Sequence, residues 1–408
     1  MSAMQVCCLL FAVCCLLFAV CCLLFAVICI LSRSPFSNED SMRRRDFVKQ
    51  TTMAVTAGGL LSACGTRSGG GPAVQSTQNV TWRLASSFPR SLDTIWGASE
   101  VLSDTLATLT GGRFLVHAYP AGELVPGLQV FDAVQQGTVQ MGHSASYYFI
   151  GKNPALAFDT CVPFGLNARQ RNAWVYHGGG LDVLRSVFAD FNIVNFPGGN
   201  TGVQMGGWFR REINSVSDLR GLKMRIPGLG GRVMDRMGVT VQVLAGGEIY
   251  QALERGLIDA AEWSGPYDDE KLGFNKVAPY YYYPGWWEPG PMLTFYVNKD
   301  AWAKLPKDYQ AAFEVAAQVA NQDMLAKYDA KNPPAFERLI QGGTKLRQFS
   351  DDIMKAAKRE AFALMEEEAA SDATYSRVYA TWKKIHQQYY AWFATAERSY
   401  SQFVVEGT

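Results

Sequence analysis

Apolar positions along the chain fall into three regimes. From Val6 to Leu31 they run unbroken for 26 residues, as VCCLLFA three times over and then VICIL. A bilayer needs about 20 apolar residues, so one reading is a membrane anchor. The other is a translated repeat upstream of the true start, which the perfect heptad identity favours. From Met53 to Leu61 comes a shorter stretch rich in small residues, a poor membrane span. Beyond Asn79 the apolar residues form strand-length runs and helical spacings punctuated by glycine and proline.

The third regime predicts strands alternating with helices. Val80 to Ser86 reads as a buried strand, and Leu92 to Leu109 as a helix stopped at Gly111-Gly112. Phe114 to Tyr119 and Val139 to Gly142 are further strands, with a short helix from Leu128 to Gln136 between them. Asn167 to His177 and Leu181 to Ala189 read as helices, and Val194 to Phe196 as a strand entering a glycine-rich passage. A second alternating block follows: strands at Leu222 to Ile226, Val239 to Leu244 and Ile258 to Glu262, helices at Arg232 to Met237 and Ile249 to Arg255. Met292 to Asn298 is an extended apolar run placed to cross back to the first block. From Pro306 the chain is mostly helical, with amphipathic segments Lys355 to Ala370 and Thr374 to Val404 parted at Ser371-Asp372. The fold class is α/β, two lobes with chain crossovers and long C-terminal helices, and the alternation predicts largely parallel sheets.

Composition changes the picture mainly at the N-terminus. Of the nine cysteines, seven fall between Cys7 and Cys29, one is Cys64, and only Cys161 lies beyond, so no disulfide framework exists. Arg44-Arg45-Asp46-Phe47-Val48-Lys49 fits the twin-arginine export pattern, and Leu61-Ser62-Ala63-Cys64 fits a lipobox. The expected order is therefore an apolar Cys-rich repeat (1–41), a twin-arginine/lipoprotein signal (42–64) and a linker (65–78). Lobe I (79–201 and 294–345), lobe II (202–293) and C-terminal helices (346–408) follow. The expected location is the periplasm, with Cys64 as a possible lipid anchor. Lys and Arg total 38 against 37 acidic residues. That balance excludes a basic nucleic-acid binder.

Enzyme signatures are sparse. The four histidines show no H-x-x-x-H spacing, and no C-x-x-C occurs. Gly142-His143-Ser144-Ala145-Ser146 lacks the final glycine of a nucleophile elbow. The glycine-rich stretches at 198–200 and 228–231 make neither G-x-G-x-x-G nor a Walker A loop.

Other motifs do converge. They are Trp82 to Pro89 (WRLASSFP), Ala121 to Leu128 (AGELVPGL), Asn200 to Arg210 (NTGVQMGGWFR) and Leu222 to Gly228 (LKMRIPG). Tyr250 to Phe274 (YQALERGLIDAAEWSGPYDDEKLGF) and Tyr280 to Glu288 (YYYYPGWWE) join them. Together they resemble the substrate-binding subunits of tripartite ATP-independent periplasmic (TRAP) transporters, the DctP-like family. Within it the likeness is to the 2-oxoacid binders, over about Asn79 to the C-terminus. The resemblance implies a two-lobed periplasmic binding protein fold and no enzyme activity. It implies a small 2-oxo monocarboxylate such as pyruvate as ligand, TRAP permease membrane subunits as partners, and a homodimer through the C-terminal helix. Arg225 then stands where the family clamps the carboxylate, a role suited to the planar guanidinium fork. Glu262, Gln204 and the backbone carbonyl of Trp263 match ligands of a co-bound cation, Na⁺ or Ca²⁺, both of which take oxygen donors. Gln204, Trp263, Tyr148, Asn200 and Glu288 join Arg225 as candidate ligand-binding residues. Tyr148 suits a hydroxyl donor or, with Tyr147, an aromatic core pair. Trp286 and Trp287 suit a pocket wall or the core. Phe149, Ser264 and Pro289 depart from the subgroup pattern, as does the lipobox. Two other readings stay open: an exported enzyme acting on small carboxylates, and a sensory receptor domain of the same fold.

Overall fold

The computed structural model describes residues 74–406. The Cys-rich repeat, the export signal, Cys64 and the linker up to residue 73 lie outside the described residues. The described part belongs to one compact unit. Its strands are β1 (Val80–Ser86), β2 (Phe114–Tyr119), β3 (Met141–Ser144), β4 (Ile193–Asn200), β5 (Trp208–Phe209) and β6 (Lys223–Arg225). β7 (Thr240–Gln242), β8 (Ala260–Ala261), β9 (Tyr280–Tyr283), β10 (Met292–Asn298) and β11 (Lys345–Gln348) complete them.

Two sheets organise these strands. The first runs β2-β1-β3-β10-β4, the second β11-β9-β5-β8-β6-β7. β1 lies parallel to both β2 and β3, and β6 parallel to both β7 and β8, as βαβ alternation requires. Neither sheet is wholly parallel, however. β10 is antiparallel to β3 and β4, and β5 is antiparallel to β8 and β9. Both strands begin after the chain has crossed from the other sheet, not after a helical crossover within one sheet. The rule that makes βαβ units parallel therefore does not govern them. β10 sits between β3 and β4 with all seven residues buried, which explains its near-continuous apolar sequence.

Helices cover the sheets. Gly97–Leu109 begins five residues later than the apolar spacing predicts and ends at Thr110, ahead of Gly111 and Gly112, which take positive φ. Lys307–Gln341 is a single 35-residue helix with Pro333 and Pro334 inside it. It packs on Gly97–Leu109 and β4 of the first lobe and on Pro266–Leu272 of the second, then feeds β11. Two further helices, Asp351–Ser371 and Ala373–Phe393, form a hairpin at Asp372, whose carboxylate caps the Tyr375 amide at 2.6 Å. The first packs on Gly228–Arg236 of the second lobe and the second on Gly180–Ala189 of the first. Phe158 anchors the hairpin, with ring centroids 5.1 Å from Tyr375 and 5.7 Å from Trp382. Trp392 near its end, and Tyr400, Phe403 and Val405 beyond it, are exposed. Among the described residues no helix is long and apolar enough to cross a membrane.

Candidate functional site

The strands deliver their carboxyl ends to one small cavity of about 20 Å³ between the sheets. Phe88 follows β1, Tyr147 and Tyr148 follow β3, Thr201 and Gln204 follow β4, and Leu293 lies at the start of antiparallel β10. From the other side come Arg225 at the end of β6, and Glu262, Trp263 and Ser264 just past β8. Carboxyl ends of parallel strands are where α/β sheets place ligands. Ile95 and Pro291 complete the lining.

Strand register explains why Arg225 and Glu262 meet although 37 residues separate them. β6 and β8 pair in parallel with Arg225 opposite Ala261, and the Glu262 amide donates to the Arg225 carbonyl at 3.2 Å. The two side chains thus leave neighbouring strand ends together. Pro227 then closes the strand.

Arg225 is 1% exposed, and each nitrogen of its guanidinium makes at least one hydrogen bond. Nε donates to the Leu244 carbonyl at 3.2 Å, and one terminal nitrogen to the Glu262 carbonyl at 3.1 Å and to its carboxylate. The other donates to the Tyr148 hydroxyl at 3.3 Å. The Trp263 ring centroid lies 5.1 Å from the guanidinium carbon. Burial disfavours the charge, yet Glu262 and the two tyrosines outweigh it and hold the Arg225 pKa above its ordinary value. Burial also pushes the Glu262 carboxyl up, opposed by Arg225. Glu288 is pushed up further, first by burial and then by the charge of Glu262. Burial and the neighbouring carboxylate thus favour the neutral form of Glu288, while the guanidinium favours the charged form of Glu262.

Glu288 is 3% exposed and accepts from the Tyr147 hydroxyl at 3.3 Å, behind the cavity wall. The loop before it runs close to Gln204: a Cβ on Gly285 would collide with the Gln204 carbonyl oxygen. Gln204 donates from Nε2 to Thr201 Oγ1 at 3.1 Å, while its buried Oε1 has no hydrogen-bond partner. An orphaned carbonyl oxygen beside a carboxylate is a place for a cation or a donor.

Arg225, Glu262, Gln204, Trp263 and Tyr148 are thus brought together at the cavity. Asn200 is not. Its oxygen accepts from the Gly202 amide at 2.9 Å and its nitrogen donates to the Gly290 carbonyl at 3.2 Å, so it braces the crossover. Trp286 stacks on Phe164 with centroids 5.3 Å apart, and neither Trp286 nor Trp287 lines the cavity. Phe88, Ile95, Thr201, Pro291 and Leu293 line it but carry no chemistry that sequence reasoning would single out. Their signal was position: Phe88 and Thr201 lie inside the WRLASSFP and NTGVQMGGWFR motifs. The elbow-like stretch is structural. Ser144 accepts from Ser87 Oγ at 2.6 Å, Ser146 bonds Asp159, and His143 Nε2 meets the Gly198 carbonyl at 3.0 Å.

Two sheets that face their strand ends across a closed cleft, with one guanidinium inside, define a two-lobed solute receptor. Residues 85–372 match the bacterial extracellular solute-binding protein family 7, DctP, and the chain belongs to that family. The family is one of solute-binding proteins, so the exported-enzyme reading falls away. The chain is 56% identical to a monocarboxylate 2-oxoacid-binding periplasmic protein of Nostoc sp., over 89% of this chain and 99% of that protein. It is 50% identical to a TRAP transporter solute-binding protein from Bordetella bronchiseptica, with a TM-score of 0.80 over 81% of this chain and 98% of that one. That structure is a mixed-occupancy dimer with calcium and picolinate in its bound active site. A third relative, the TRAP periplasmic solute-binding protein of Pseudoalteromonas atlantica, holds sodium and pyruvate. It is 39% identical, with a TM-score of 0.78 over 80% of this chain and 99% of that one.

Proposed function

We propose that the chain is the exported receptor of a TRAP transporter, capturing a small 2-oxo monocarboxylate together with a cation and presenting it to membrane permease subunits. One observation carries this reading. Among the described residues lining the cavity, Arg225 is the one cation, and Glu262, the unpartnered Gln204 oxygen and the apolar Phe88, Ile95, Pro291 and Leu293 share the lining with it. A ligand carboxylate meets the guanidinium, whereas a second carboxylate would find no further cationic side chain in the lining, a costly burial.

The residues fit a hard cation. Glu262 supplies a carboxylate, Gln204 an amide oxygen and Trp263 a backbone carbonyl, and the ligand would add carboxylate and keto oxygens. The cation would neutralise Glu262 and give the keto acid a second positive partner besides Arg225. Among the described residues no cluster of three His, Cys, Asp or Glu exists, so a site with a single carboxylate is the donor set on offer. Calorimetry should show pyruvate affinity falling about 10- to 100-fold when Na⁺ and Ca²⁺ are removed, and Glu262→Gln should reproduce that loss. Equal affinity in metal-free buffer would remove the cation from the reading.

We place the protein in the periplasm on the twin-arginine and lipobox motifs, which a processed N-terminus at Cys64 would support. We also propose a homodimer. The exposed Tyr400, Phe403 and Val405 continue the last helix beyond the body, and the Bordetella relative is dimeric. Light scattering should return twice the chain mass, and truncation after Phe393 should return the monomer mass.

A further inference from the structure

Above the cavity, three elements meet at a charge cluster that the binding site does not use. Asp93 lies in the first lobe, between the cavity residues Phe88 and Ile95. Tyr267 and Lys271 lie on helix Pro266–Leu272 of the second lobe, just past the cavity residue Ser264. Lys331 comes from the long helix that spans both lobes. The Asp93 carboxylate accepts from the Tyr267 hydroxyl at 3.1 Å and from Lys331 at 3.0 Å, and it pairs with Lys271. The Tyr267 ring is held between both ammonium groups, 4.3 Å from Lys271 and 4.6 Å from Lys331. Lys271 also reaches the Ser91 carbonyl at 3.4 Å. Burial is the largest single influence on the Asp93 carboxyl and raises it, but the two lysines together outweigh it and bring it down to about 2.

Building on the receptor reading, we propose that Asp93 is a latch that holds the closed lobes together and slows ligand release. Asn332, next to Lys331, accepts the Tyr267 amide at 3.1 Å and ties this part of the long helix to helix Pro266–Leu272. Asp93 and Lys271 come from opposite lips, and Lys331 joins them from the helix that bridges both. Opening withdraws the Asp93 carboxylate from Lys271 and leaves that ammonium group beside Lys331 with less negative charge between them, an arrangement that closure relieves. The cluster is partly exposed, with Asp93 at 49% and Lys271 at 29%, so its strength comes from being a network and falls with added salt. A latch on the lip acts on the open–closed equilibrium and touches no ligand, which places its effect in the dissociation rate.

Stopped-flow tryptophan fluorescence with pyruvate and calcium tests this on the purified protein. Asp93→Ala is expected to speed release about three- to tenfold, with association changed less than twofold. Adding Lys271→Ala to it should cost little more, since the pair acts as one unit. Arg338→Ala removes a comparable exposed pair, Arg338 with Glu270, that does not involve the Phe88–Ile95 lip, and it should leave release unchanged. Small-angle scattering of the ligand-free protein gives a readout independent of ligand, in which Asp93→Ala should have a larger radius of gyration. Wild-type release from Asp93→Ala would overturn the latch. If the wild type binds no 2-oxo acid, the functional reading falls, and an unchanged radius of gyration would then overturn the latch on its own.

Discussion

Lysine in place of Arg225 is expected to weaken pyruvate binding about 100-fold while leaving the protein folded. Arg225 holds four partners from one planar fork: the Leu244 carbonyl, the Glu262 carbonyl and carboxylate, and the Tyr148 hydroxyl. An ammonium group retains the charge that Glu262 needs, but a point donor on a shorter reach cannot keep these bonds and grip a carboxylate in bidentate fashion. Arg225→Ala is the harsher change. It leaves Glu262, 1% exposed, beside Glu288 with no cation, so a proton must settle on Glu262 and stability falls with binding. Calorimetry and thermal unfolding of both variants separate the two effects. Undiminished pyruvate affinity in Arg225→Lys would show that another group clamps the ligand.

Removing the carboxylate of Asp159 is expected to cost about 3–5 kcal/mol of stability, the range for breaking a buried, hydrogen-bonded charge. Asp159 is fully buried. It accepts from Thr294 Oγ1 of β10 at 2.5 Å, from Asn195 Nδ2 of β4 at 3.0 Å and from Ser146 after β3. Ser146 in turn meets the Tyr296 hydroxyl at 2.8 Å. One carboxylate thus ties three neighbouring segments of the first sheet directly below the cavity. Burial pushes its pKa up, opposed by the bonds from Ser146, Thr294 and Asn195. Asp159→Ala strands three donors and leaves buried Arg171 without its nearby carboxylate. Asp159→Asn keeps one acceptor oxygen and should lose less than half as much. Urea unfolding measures both, and a loss below about 1 kcal/mol for the alanine variant would show that water replaces the carboxylate.

The sequence made part of this site legible because its chemistry is concentrated in residue types that are costly to bury. Arg225 beside Pro227, and Glu262 inside IDAAEW, are charges in apolar surroundings, and the fold brings them together through β6–β8 register. β1, β2 and β10 also match their apolar runs residue for residue, since each is bounded by breakers or polar caps. What pattern did not reveal was direction. An apolar run is the same read either way, so the antiparallel placement of β5 and β10 depended on where the chain crosses between sheets. Strand length was overread for the same reason. Ile258 to Glu262 has the pattern of a strand, but only Ala260–Ala261 finds ladder partners beside two-residue β5. Asn200 shows the opposite limit: a polar side chain in a glycine-rich turn satisfies neighbouring backbone as readily as it reaches a ligand. Asp159 and Asp93 sit in unremarkable contexts, and their partners lie on segments far along the chain.

The chain passes between the two sheets three times: from β4 to β5, from β9 to β10, and through the long helix into β11. The C-terminal hairpin adds a fourth bridge, with one helix on each lobe. A body joined by one strap can swing and twist freely, whereas each further strap removes motions that would stretch it. The receptor is therefore confined to a narrow family of rotations, and an encounter with ligand spends little entropy on choosing among them. The same confinement gives a membrane partner a single well-defined difference in outline between the loaded and the empty receptor.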